Sequence, residues 1–112
     1  MSKLIYIASP YSGTEEEMQQ RYEAVRDFTA KIMMDGSVVP FSPIVHCHDI
    51  AQHHELPRTH EFWLHIDETY LRHCDELWVL MIPGWEDSFG VASEVKFANR
   101  LHIPVYYKCE VK

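Results

Sequence analysis

The chain has 112 residues, of which 46% are apolar and 24% charged, and its formal net charge is −7. That length excludes two domains and leaves one, taken here as residues 1–112, burying roughly two-thirds of its unfolded surface. The composition excludes a disordered or fibrous chain, and the acidic balance without a basic cluster excludes a nucleic-acid polymer as partner, since a phosphate backbone is bound through Lys and Arg.

A small nucleotide is still allowed. No apolar run approaches the roughly 18 residues of a membrane span, and "MSKLIYIASPYSG" lacks the flanks of a secretory signal, so the expected location is the cytoplasm, off the membrane. Cys47, Cys74 and Cys109 have no pair spacing of a disulfide framework and read as reduced, packed thiols.

In chain order, "KLIYIAS" (3–9) is a β-branched and aromatic run closed by Pro10 and predicts a buried strand. "PYSGT" is a turn. Thr14 and Glu17 form a capping box, Met18, Tyr22, Val25, Phe28 and Ile32 recur at helical spacing, and Gly36 ends that helix. "SVVPFS" (37–42) predicts a second strand, short or at an edge because Pro40 has no amide donor. "PIVHCHDIAQHHELPRTH" (43–60) is expected to be a long irregular connection. Trp63, Ile66, Tyr70 and Leu71 mark a helix ending near His73, and "ELWVLMI" (76–82) predicts a third strand covered on both faces. "PGWEDSFG" then turns into a helix striped by Val91, Val95, Ala98 and Leu101, before a fourth strand, "HIPVYY" (102–107). This alternation predicts a three-layer α/β domain, Rossmann-like or flavodoxin-like, with a parallel sheet of four to five strands and right-handed crossovers.

Such sheets bind ligands at the carboxyl ends of their strands. The loops there are "SPYSGT", "SPIVHCH" and "PGWEDSFG", and the first and third run into helix N-termini that favour an anion. The clustered histidines at 46, 48, 53 and 54 lack the paired spacing of a zinc site, so no metal and no cofactor is expected, and His48 alone is kept as a substrate contact. Asp75 before a strand reads as a turn or cap residue. Asp67 shares a side with Tyr70 and Leu71, and Glu94 lies on or beside an apolar stripe; burial of either requires a partner or a shifted pKa. Two such carboxylates could cleave a glycosidic bond, one attacking or stabilising the anomeric carbon and the other managing the leaving group's proton.

"IYIASPY", Asp67 with Asp75 eight residues later, "VLMIP", "SFGVASE" and "IPVYY" together resemble the nucleoside 2-deoxyribosyltransferase superfamily, which includes deoxynucleoside 5′-monophosphate N-glycosidases. The resemblance covers nearly the whole chain and is most specific at Ser88, Gly90 and Glu94. It implies that Glu94 attacks C1′ of a deoxyribose and that Asp67 assists protonation or positioning of the base. It implies that Ser88 and Gly90 lie near the 5′ substituent, a phosphate where a serine stands, and that Tyr6, Ser9, Tyr11 and Ser12 line the sugar or phosphate pocket. Asp87, beside Ser88, would contact the same region and would repel a phosphate.

The expected activity is cleavage of the N-glycosidic bond of a 2′-deoxynucleotide or deoxynucleoside, by hydrolysis or by transfer. The partner is then a small nucleoside or nucleotide. Two alternatives stay open: a non-catalytic nucleotide or nucleotide-sugar binding domain, and an NAD-type glycohydrolase releasing nicotinamide. The resemblance also implies a homodimer or larger homo-oligomer, with a neighbouring subunit closing the pocket.

Overall fold

In the computed structural model, residues 2–57 and 59–109 are described; the chain ends of the one-domain expectation and Arg58 of the histidine-rich stretch lie outside them. The elements are β1 (Leu4–Ala8), α1 (Glu15–Asp35), β2 (Val39–Phe41), α2 (Pro43–His53), α3 (His60–Leu71), β3 (Glu76–Leu80), a 3₁₀ turn at Trp85–Asp87, α4 (Phe89–Arg100) and β4 (Val105–Lys108). All strands pair parallel in the order β2-β1-β3-β4, with Leu4 opposite Val39, Ile5 opposite Glu76 and Leu77 opposite Val105. The order reverses between β1 and β3, which creates a crevice at their carboxyl ends.

Period-two alternation sorts the two central strands between two cores. Tyr6, Ala8, Leu77 and Val79 pack with Leu71, Val91, Phe97 and Ala98, so α3 and α4 cover one face. Ile5, Ile7 and Leu80 pack with Val25 and Phe28 of α1, joined by Ile44 and Val45 of α2, on the other. The result is the three-layer α/β fold expected, with four strands.

Helix α1 follows its sequence signals closely. Thr14 Oγ1 accepts from the Glu17 amide at 3.1 Å, Glu17 Oε1 accepts from the Thr14 amide at 2.9 Å, and Gly36 closes the helix at φ 79°. Pro40 sits on the three-residue edge strand, where its missing donor costs no ladder bond.

Four expectations need correction. Residues 43–53 are helical, because Ser42 caps α2 by accepting from the Val45 amide and Pro43, fixed in φ and lacking a donor, suits the first turn. The buried stripe of α4 is Val91, Glu94, Phe97 and Ala98, whereas Leu101 is 40% exposed. The fourth strand starts only at Val105, because His102 takes a left-handed conformation and turns the chain after α4. Of the thiols only Cys74 is packed, Cys47 is half-buried and Cys109 is exposed. Among the described residues no helix is long and apolar enough to cross a membrane.

Candidate active site

The loops at the carboxyl ends of β1 and β3, together with α2, α3 and the start of α4, enclose a cleft of about 1710 Å³. Ser9, Tyr11, Ser12, His48, Asp67, Asp87, Ser88, Gly90 and Glu94 all line it. Thus nine of the ten side chains or backbones singled out in the sequence converge from five separate segments. Tyr6 is the exception. It is fully buried behind the cleft wall, because residue 6 points into the α3/α4 core, and its hydroxyl donates to Glu94 Oε2.

Glu94 is only 9% exposed and lies more than a turn inside α4, beyond useful reach of the helix dipole. Burial first, and then the nearby Asp67 charge, push its carboxyl up to about 8, while the Tyr6 hydrogen bond acts in the opposite direction. Asp67, in the middle of α3, is pushed up to about 7 by burial. Tyr6 is held well above an ordinary phenol by burial, reinforced by Glu94 and Asp67. Two like charges this close cannot both ionise readily, so the pair retains a proton near neutrality. The deeper burial of Glu94 favours placing that proton there, and the Tyr6 hydrogen bond, which stabilises the Glu94 carboxylate, acts against that order. This gives one carboxylate and one carboxylic acid facing the same cleft, the combination acid–base and nucleophilic chemistry requires.

The two helix-starting loops differ in what they leave available. Ser88 caps α4 by accepting from the Val91 amide at 3.2 Å, so its oxygen is partly committed while its hydroxyl proton is not. A methyl group at Gly90 would meet nothing nearer than Ser88 Oγ at 3.9 Å, so the protein itself does not require glycine there. On the first loop, Ser9 Oγ is buried and has no hydrogen-bond partner among the described residues. Tyr11 Oη lies 2.7 Å from His48 Nδ1, and the Ser12 carbonyl accepts from the Arg21 guanidinium.

Asp75 lies at the other end of the sheet, where its carboxylate accepts the Leu4 amide at 2.8 Å, in keeping with a turn role. Among the described residues no group of three or more His, Cys, Asp or Glu is arranged to hold a metal ion. Sequence reading missed Arg21, which packs against Gly84 so closely that a Cβ there would stand 2.5 Å from its Nη2. It also missed the aromatic rim, where the His60 and Phe89 rings meet edge to face at 4.6 Å and the Trp63 indole donates to the Pro57 carbonyl. Phe89 is 71% exposed, and a large aromatic immediately after Ser88 and outside the expected apolar stripe of the helix was a sequence signal for that rim.

A family described as "Domain of unknown function (DUF1937)" matches residues 3–110. No curated protein matches the chain. Among solved structures, a 2-desoxiribosyltransferase from Leishmania mexicana is similar at a TM-score of 0.58 and 22% identity. The match covers 96% of this chain and 64% of the other, so the chain spans less than two-thirds of that protein's length. At this identity the likeness extends to the fold.

Proposed function

The chain belongs to the DUF1937 family, and for it we propose cleavage of the N-glycosidic bond of a 2′-deoxynucleoside or deoxynucleotide, with Glu94 as nucleophile and Asp67 as proton donor. The observation that carries this reading is a pair of carboxyl groups facing one cleft, Glu94 buried and Asp67 half-buried, both pushed up by burial, with a tyrosine donor on Glu94. The fold shared with a 2-desoxiribosyltransferase supports it.

In the proposed step a Glu94 oxygen attacks C1′ as the C1′–N bond breaks. The bonding electrons leave with the base, whose nitrogen takes the Asp67 proton. The covalent glycosyl-enzyme is then opened by water, which returns a proton to Asp67, or by the nitrogen of a second base. Ser9, Tyr11, Ser12, His48, Asp87, Ser88 and the Gly90 backbone make up the substrate-contacting wall. Tyr6 acts from behind, its hydrogen bond favouring the carboxylate form of Glu94 that the attack requires. Residues 1–112 are taken as one domain that works as a homodimer, because a cleft this open needs a neighbour to exclude water.

A second reading, ligand binding without turnover, is favoured by the raised pKa of Glu94, since a neutral carboxyl cannot attack. Incubation with a panel of 2′-deoxynucleosides and their 5′-monophosphates, followed by chromatography for free base, separates the two. Base release lost in Glu94→Gln supports cleavage. No release from any compound, with one of them raising the melting temperature, supports binding alone.

A further inference from the structure

One buried imidazole faces the cleft without belonging to the acid pair. His48 of α2 is 7% exposed, its ring stacks on Tyr22 of α1 at 3.9 Å and 12°, and the Tyr11 ring stands edge-on to it at 88°. Its Nδ1 lies 2.7 Å from Tyr11 Oη. Its Nε2 has no protein partner among the described residues, and the ring forms part of the cleft wall. Stacking thus fixes the ring plane, and the tyrosine hydroxyl occupies one nitrogen.

A hydroxyl and an imidazole nitrogen at that distance share one proton, and two neutral arrangements are possible. Either Tyr11 donates to a bare Nδ1 and the ring carries Nε2–H, or Nδ1–H donates to Tyr11 and Nε2 is a bare acceptor. Phenol is the stronger acid and imidazole the stronger base, so the first arrangement wins. The charged form with both protons is disfavoured because burial lowers the His48 pKa, an effect that the neighbouring Asp49 opposes less strongly. On the first loop, the Ser9 hydroxyl lines the same cleft, buried and with no hydrogen-bond partner among the described residues.

We propose that His48 is a specificity-determining donor, held as the neutral Nε2–H tautomer by Tyr11 and offering that hydrogen bond to an oxygen acceptor of the ligand. Tyr11 is then a positioning residue acting through His48, and Ser9 supplies a second hydroxyl to the same ligand face. The acceptor is a sugar or a phosphate oxygen. The inference rests on reading the cleft as a nucleoside or nucleotide site.

Long-range proton–nitrogen NMR of the whole protein at neutral pH reads the tautomer directly. The expected result is an unprotonated Nδ1 and a protonated Nε2 on His48, giving way to a mixture of tautomers in Tyr11→Phe. An Nδ1–H tautomer or an imidazolium in the wild type overturns the inference while leaving the proposed reaction standing. Titration with 2′-deoxyadenosine and with its 5′-monophosphate then identifies the acceptor: a shift of the His48 Nε2–H signal with both points to the sugar, with the monophosphate alone to the phosphate.

Tyr11→Phe should weaken binding of that compound about fivefold to tenfold. His48→Leu should weaken it at least as much, and the double variant no more than His48→Leu alone, with His48→Gln restoring part of the loss. Binding of either compound without movement of the His48 signal overturns the donor role. If no compound of the panel of 2′-deoxynucleosides and 5′-monophosphates binds or is cleaved, the proposed reaction falls and the ligand half of the inference falls with it, whereas the tautomer still tests the Tyr11–His48 half.

Discussion

The floor and the rim of the cleft are built on opposite terms. On the floor, Tyr6, Asp67 and Glu94 come from β1, α3 and α4, meet across as many as 88 positions of sequence, and keep two acids where burial disfavours their charge. On the rim, His53 and His54 are exposed, and His53 Nδ1 contacts the Asp49 carbonyl one helical turn back. The floor therefore costs stability and the rim does not. A fold has no reason of its own to keep two acids together where burial disfavours their charge, which is why the floor is where chemistry is sought.

The sharpest way to break this contrast is Glu94→Gln. Base release should fall by about 10³-fold or more, and Asp67→Asn should cost roughly 10²-fold, both read by chromatography. The same two substitutions should stabilise the protein at alkaline pH. Both folded-state pKa values are raised, to about 8 and about 7, so between the ordinary carboxyl range and those values the folded state binds more protons than the unfolded one. Stability should therefore decline as pH rises from about 4 to 8, and denaturant midpoints should show Glu94→Gln flattening that decline by about 2–4 kcal/mol at pH 8.

Next in size, Tyr6→Phe removes the donor on Glu94 and should lower kcat about 10- to 100-fold while shifting the rising limb of the pH–rate profile to higher pH. Gly84→Ala probes the close contact between the β3–α4 loop and Arg21 of α1. With φ 95° and the Arg21 guanidinium 2.5 Å from a new Cβ, it should destabilise by about 1–2 kcal/mol in denaturant melts. Smallest of all, His53→Ala and His54→Ala should change activity less than twofold and stability by less than about 0.5 kcal/mol.

Much of the fold was legible because its signals are local. The Thr14–Glu17 box, Gly36, the edge proline and the unalternating "ELWVL" each act over a few residues, and each is met in the structure. Helix α2 was misread although Ser42, Pro43, Ile44, His48 and Ala51 carried a cap and a helical spacing, because its polar histidines resemble a loop and burial of His48 depends on two distant tyrosines. At the site, the strand-end rule brought most of the chosen residues to one cleft. It could not show that Tyr6 faces inward, since period two allows either face until the helix that covers it is known. Arg21 was hidden for a similar reason: its place at the cleft depends on the Ser12 carbonyl and Gly84, which come from two loops distant in sequence from one another.

The central claim is that the acid pair on the floor breaks a glycosidic bond through Glu94. The direct measurement is mass spectrometry of the wild-type protein quenched during incubation with a 2′-deoxynucleoside or its 5′-monophosphate, alongside chromatography of the released base. A deoxyribosyl adduct on the peptide holding Glu94, absent in Glu94→Gln, is the expected result. Base release that survives in Glu94→Gln, or an adduct mapped to another residue, would contradict it.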